Sequence, residues 1–213
     1  MSMLFCDGFD KYGPANSNTT SVVALLTAGE WTSASSINIV SGLSATGYGL
    51  SILGSGVATK TLPGSYSRLI GGIRFSSTLA ATSGIQFLDA AANQAGICIN
   101  VAGTIAVRNA GYNTGTILGT STASVTANST HYLEWDITFG NSASYQLWLD
   151  GVSILSGTGD TTATANNSAN GFSFTSAGAI SLTVDDFYLF DATGTTNNAP
   201  LLTSPRIETQ FPN

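Results

Sequence analysis

The chain has 213 residues, 8% of them charged, and a formal net charge of −6 with six basic side chains. That length is ample for one hydrophobic core, and an apolar content of 43% excludes a disordered chain. Lys11, Lys60, Arg68, Arg74, Arg108 and Arg206 are scattered, which excludes a surface built for a phosphate backbone, and no run approaches the roughly 18 apolar residues of a membrane helix.

The first ten residues, MSMLFCDGFD, predict a short strand leading into a loop. Met3 to Cys6 is too short for the apolar core of a signal peptide, so folding in a cytoplasm is expected, with Cys6 and Cys98 as free thiols. Residues 11 to 36 are rich in Ser, Thr and Asn. Val22 to Leu26 suggests at most a single helical turn, and no helix of usable length is expected. Trp31 is expected to fill a gap in the core.

From Ile37 strands follow at a regular beat. Tyr48, Leu50 and Ile52 alternate. Leu69, Ile73 and Phe75 bracket Gly71-Gly72, a pair that suggests a bulge or sharp bend inside a strand. Ile85 and Phe87 precede a turn. Ile97, Ile99 and Val101 then face Ile105 and Val107 across a hairpin. A three-residue loop, Ala102 to Thr104, sets Val101 opposite Ile105 and sends Cys98 to the other side.

The clearest pattern lies in HYLEWDITFGNSASYQLWLDGVSILSGTG, residues 131 to 159. Leu133, Trp135, Ile137 and Phe139 share one face. Tyr132, Glu134, Asp136 and Thr138 share the other, which makes Glu134 and Asp136 a solvent-facing pair. A second strand ends at Asp150-Gly151, a pair suited to a two-residue turn. That turn sets Leu149 opposite Val152 and Leu147 opposite Ile154, so the core should hold Leu133, Trp135, Ile137, Leu147, Leu149, Val152 and Ile154. Thr158 to Asn170 reads as a polar loop. Phe172 and Phe174 begin another strand. Ile180, Leu182 and Val184 run into Asp185-Asp186-Phe187-Tyr188-Leu189-Phe190-Asp191, which predicts a strand buried on both sides or a bulge near Asp185. Ten to twelve strands in one domain mean an all-β sandwich or barrel.

VDDFYLFD, residues 184 to 191, is similar to the closing strand of laminin G-like domains in the concanavalin A-like jelly-roll superfamily. HYLEWDITF with YQLWLDGV resembles adjacent strands of the same superfamily. LFCDGFDKYG, DDFYLFDATGTTNN and PRIETQFPN together resemble a group of tailed-bacteriophage virion proteins. In the tail, Asn198-Ala199-Pro200-Leu201-Leu202 departs from that group's aromatic followed by Leu-Gly-Asp. The resemblance implies an antiparallel two-sheet jelly-roll sandwich of the concanavalin A-like lectin/glucanase type. It also implies a phage virion structural protein: a capsid decoration or cement subunit, or a head or tail appendage. The expected localisation is the virion, and the expected partners are the major capsid protein or other virion proteins and further copies in a trimer or dimer. No nucleic acid or membrane is expected. The alternative is a lectin-like module for host surface glycans, with Tyr112-Asn113 or Trp148 as its aromatic platform.

Catalysis is not expected. Glu134-x-Asp136 supplies half of the acid pattern that glycosidases on this fold carry, and retaining hydrolysis needs two carboxyl groups about 5 Å apart. His131, the single histidine, has no nucleophile elbow. One His and two distant Cys exclude zinc. No cofactor is expected; a structural calcium would draw on Asp150, Asp185 and Asp186, with Asp160 and Asn170 farther off. The chain divides into a sandwich, residues 1 to 191, and an extended arm, 192 to 213. The arm holds three of the five prolines, which argues against a strand ladder there. Leu201, Leu202, Pro205, Ile207 and Phe211 are its expected assembly contacts.

Overall fold

A computed structural model describes residues 2–44, 46–178, 182–193, 199–202 and 205–207. Strand β1 (Met3–Asp7) leads through a 3₁₀ turn at Asp10–Tyr12 to the helix α1 (Thr19–Ala28). Next come β2 (Ser33–Ser41), β3 (Tyr48–Tyr66), β4 (Arg68–Ser77), β5 (Ser83–Asp89), β6 (Ala92–Ile99) and β7 (Thr104–Asn109). They are followed by β8 (Ile117–Ser124), β9 (His131–Thr138), β10 (Ala143–Leu149), β11 (Val152–Gly159), β12 (Ala169–Ser176) and β13 (Leu182–Asp191). All pairings are antiparallel. Ile180 and Phe211 lie outside the described residues.

The strands run in the order β11-β10-β9-β4-β13-β3-β12-β5-β6-β7-β8, with β1 against β13 and β2 against β3. Two layers share one strand. The 19-residue β3 pairs β13 through Leu50 to Ile52 and β12 from Val57 onward. Gly54, at φ +55, bends it between the two. Strand β2 follows the bend through a register shift between Ser35 and Ile37, with Ser36 at φ +50. The first sheet is therefore β13, β4, β9, β10 and β11; the second is β12, β5, β6, β7 and β8. Their far edges nearly meet, where the Tyr145 hydroxyl of β10 donates to the Leu118 carbonyl of β8 at 2.9 Å. This is the expected two-sheet sandwich, close to a closed barrel.

The core is aromatic. Phe172, Phe174, Phe187, Trp135 and Phe87 are fully buried between the sheets, and Phe187 stacks on Trp135 at 6.1 Å. Trp31 is buried against Phe9 and Phe172 as expected. The helix runs for ten residues, longer than the single turn expected. Asn18 caps it by accepting from Ser21 N at 3.2 Å, and Val22 and Leu26, four apart, bury one side. Its Thr and Val content lowers intrinsic propensity, so docking against β2 is what sustains ten residues.

Several registers differ from expectation. Ile99 pairs Ile105 and Ile97 pairs Val107, and the loop between β6 and β7 spans residues 100 to 103. The shift is by two residues, so the inward faces are unchanged, but Val101 is left exposed in the loop. At the other hairpin Asp150 and Gly151 take φ +51 and +79, as a two-residue turn requires. Leu149 does pair Val152, but a shift after Trp148 sets Leu147 opposite Leu155. Ile154 becomes the extra residue of a bulge and is half-buried, and Val152, on an edge strand, is 66% exposed. The other five expected core residues are buried. Gly71-Gly72 is not a bulge: β4 pairs β9 without interruption from Arg68 to Phe75. A Cβ on Gly71 would sit 2.5 Å from the Trp135 ring on the inner side. One on Gly72 would meet the Tyr188, Tyr132 and Glu134 side chains on the outer side. The bulge lies instead in β13, between Asp185 and Tyr188, with Asp186 at φ +47.

Candidate functional site

The β13 bulge lets Phe187 and Leu189 enter the core while Tyr188 and Phe190 point outward. There they join Ile70 of β4 and Tyr132 of β9 in a second apolar cluster. Glu134 lies beside it. It is not solvent-facing but 1% exposed, because the arm crosses above it. Its Oε1 accepts the Tyr188 hydroxyl at 2.6 Å and the Leu202 main-chain N–H at 2.9 Å. Leu201 N–H donates to the Tyr188 oxygen at 3.2 Å, and Ile207 N–H to Asp186 Oδ1 at 2.7 Å. The arm thus docks by its backbone. Its Leu201 and Leu202 side chains stay 40% and 46% exposed, and Pro205 and Ile207 are half-buried. Burial and the neighbouring Glu134 carboxylate both raise the Tyr188 pKa, burial the more.

The other acids of this face hold cations. Arg68 forks onto Asp136, with Nε to Oδ1 at 2.7 Å, and that contact holds the guanidinium pKa above its ordinary value. Arg74 donates to Asp186 Oδ2 at 2.7 Å and lies over the Tyr132 ring. Asp185 turns the other way. Its carboxylate accepts from Leu43 N and Asp186 N, both at 2.8 Å. Burial, with Asp186 beside it, pushes its pKa up to about 6. Trp148 is half-buried at the edge of this face, next to Glu134 across the β9–β10 pairing.

The candidate calcium ligands are otherwise engaged. Asp150 accepts from Tyr132 N and pairs with His131 Nδ1, each at 2.8 Å. Asp160 caps Thr162 N at 3.0 Å, and Asn170 accepts from Ala90 N at 2.8 Å. Among the described residues no three His, Cys, Asp or Glu side chains converge on a metal-sized site. His131 uses Nε2 to accept from Thr126 N at 3.4 Å, so its ring clips a turn to a strand. Cys6 and Cys98 are both free.

Two buried polar residues escaped sequence reading. Gln94, fully buried, takes Ala163 N and Thr164 N on its oxygen at 3.0 and 2.9 Å and donates to the Asn166 and Ser168 carbonyls. It folds the polar loop after β11 onto the sandwich. Asp7 accepts from Phe9 N, the Tyr12 hydroxyl and Trp31 Nε1 at 2.8, 3.1 and 3.0 Å, and burial raises its pKa. No periodicity marks either, since each serves contacts remote from its own strand face.

The outer face of the second sheet is different in kind. Thr59, Ser173, Gln86, Gly84, Gly96, Cys98 and Ala106 carry short or uncharged side chains there. The turn at residues 110 to 116 folds back over one end. Tyr112 packs on Cys98 and Ala106. Tyr112 is only 7% exposed, so it forms a wall and not the expected open platform.

No protein-family model and no curated protein matches the chain. Solved structures do. A double mutant of an alginate lyase, in complex with alginate tetrasaccharide, aligns at 12% identity over 89% of this chain and 97% of its own, with a TM-score of 0.58. An endo-β-1,4-glucuronan lyase from Trichoderma reesei aligns at 12% identity over 76% and 92%, with a TM-score of 0.53. A botulinum neurotoxin serotype D binding domain aligns at 14% identity over 78% of this chain but 44% of its own, with a TM-score of 0.52. At such identities the likeness is one of fold, the β-sandwich. It corrects one expectation, that the chain is not an enzyme. That exclusion rested on the missing second carboxylate of a hydrolase, whereas two neighbours on the same fold are lyases.

Proposed function

We propose that this chain is a structural subunit of a tailed-phage virion, joined to its neighbours through the arm and the first-sheet face beneath it. One observation carries the reading. The three motifs behind the virion resemblance are distant in sequence and meet in one patch. Strand β1 of the first motif pairs β13 of the second, Phe5 against Leu189 and Asp7 against Phe187. Asp10, also of the first, holds Tyr48 N at 2.8 Å. The first residues of the tail motif meet both: Ile207 N–H binds Asp186, and its carbonyl fills the space where a Cβ on Gly8 would stand. Arg206 reaches the Thr46 hydroxyl.

What this patch offers outward is apolar. Leu201 and Leu202 are exposed, and the Leu202 carbonyl lies 3.4 Å from a Cβ placed on Gly151, one residue before exposed Val152. Such a surface suits a protein neighbour, either the major capsid protein or another virion protein, or a further copy in a trimer or dimer. No described helix is long and apolar enough to cross a membrane.

The test uses purified particles. Mass spectrometry should find the chain at a fixed copy number, and a full-length Leu201→Glu/Leu202→Glu variant should fold yet fail to join particles. Hundreds of copies would mean the capsid and a few the tail. Wild-type incorporation of the variant, or absence from particles, would refute the reading.

A further inference from the structure

Across the outer face of the second sheet the registers line up Ser33, Thr59, Ser173, Gln86, Gly96 and Arg108, one from each of six adjacent strands. At one strand spacing per step, the part from Ser33 to Gln86 is about 14 Å long. Beyond it the turn at 110 to 116 lies over Gly96, where a Cβ would stand 2.5 Å from Tyr112 N. Ser33 is exposed, and Thr59 and Gln86 are half-buried.

One buried group in the stretch from Ser33 to Gln86 lacks a partner. Ser173 is 1% exposed, and its Oγ has no partner among the described residues. Its cross-strand neighbour Gln86 makes no side-chain hydrogen bond with them either. Leaving a buried hydroxyl unpaired costs about 1–3 kcal/mol, so such a group calls for an explanation.

We propose that the lane is a binding site for a neutral, linear polysaccharide laid across the strands. Sugar hydroxyls donate and accept at once, as Ser, Thr and the Gln carboxamide do. The lane holds no Asp, Glu or Lys. Its single arginine, Arg108, lies past the turn that covers Gly96 and donates to the Gly115 carbonyl at 3.1 Å, so the stretch from Ser33 to Gln86 itself carries no charge. The site requires the half-buried Gln86 side chain, cross-strand neighbour of Ser173, to turn aside and let a sugar hydroxyl reach the serine. This lane lies on the sheet opposite the arm and does not depend on the assembly reading.

The full-length protein is run in native gels cast with a soluble β-1,3-glucan, hydroxyethylcellulose, dextran or alginate. At least one neutral polymer should retard it. Gln86→Ala and Ser173→Ala should weaken retention about tenfold with melting curves unchanged, and Gln146→Ala on the opposite face should leave it intact. Retention by alginate alone, by no polymer, or undiminished in both lane variants would overturn the proposal.

Discussion

On the first sheet's outer face Glu134, Asp136, Asp186, Arg68 and Arg74 all hold partners, and an arm of the same chain closes over Glu134 and Asp186. Across the second sheet Ser173 and Gln86 have none among the described residues. One face spends its polar groups on holding the protein to itself, and the other keeps them available. The difference comes from side-chain size. Gly72 makes room on the first face for two tyrosines and a glutamate to converge. On the second face Gly96 makes room only for the turn that carries Tyr112.

That contrast can be broken in graded ways. The largest effect belongs to the core both faces share. Trp135→Ala removes a fully buried ring stacked on Phe187 and should cost about 3–5 kcal/mol in a denaturant titration. A loss under about 1 kcal/mol would reverse the assignment of faces. Next comes Glu134→Ala, which strips the acceptor from the Tyr188 hydroxyl and the Leu202 amide. It should cost about 2–3 kcal/mol, and amide exchange at Leu201 and Leu202 should quicken as the arm loosens.

The third is a pH effect on the first sheet's side. The folded chain holds Asp185 at about 6 and raises Asp7 as well, both by burial. Between the ordinary carboxylate value near 4 and 6, the folded state keeps protons that the unfolded chain has released. Stability from Asp185 therefore falls as pH rises through that window. Asp185→Asn should flatten the slope, and melting temperatures from pH 4 to 7 would show it; an unchanged slope would remove Asp185 from the account. Smallest is Ser173→Ala, expected to stay within about 0.5 kcal/mol of wild type, since no bond is lost. A cost as large as that of Glu134→Ala would erase the contrast between the faces.

Alternation alone was enough to name the class and to place Leu133, Trp135, Ile137, Leu147 and Leu149 in the core, because a period of two leaves a strand one way to bury itself. It also marked the Asp150-Gly151 turn and the irregularity at Asp185, where local chemistry suffices. Periodicity says which side of a strand faces out, but not what covers that side. Glu134 looked like a surface acid, and only the arm, arriving from some 68 residues away, made it a buried acceptor. Gly71-Gly72 looked like a bend until neighbouring strands supplied the rings that need its space. Val152 and Ile154 lost their places to one extra residue in a ladder, an event no pattern in β11 records. The lane from Ser33 to Gln86 is the extreme case: its members lie on four strands far apart in the chain, and cross-strand register alone sets them side by side.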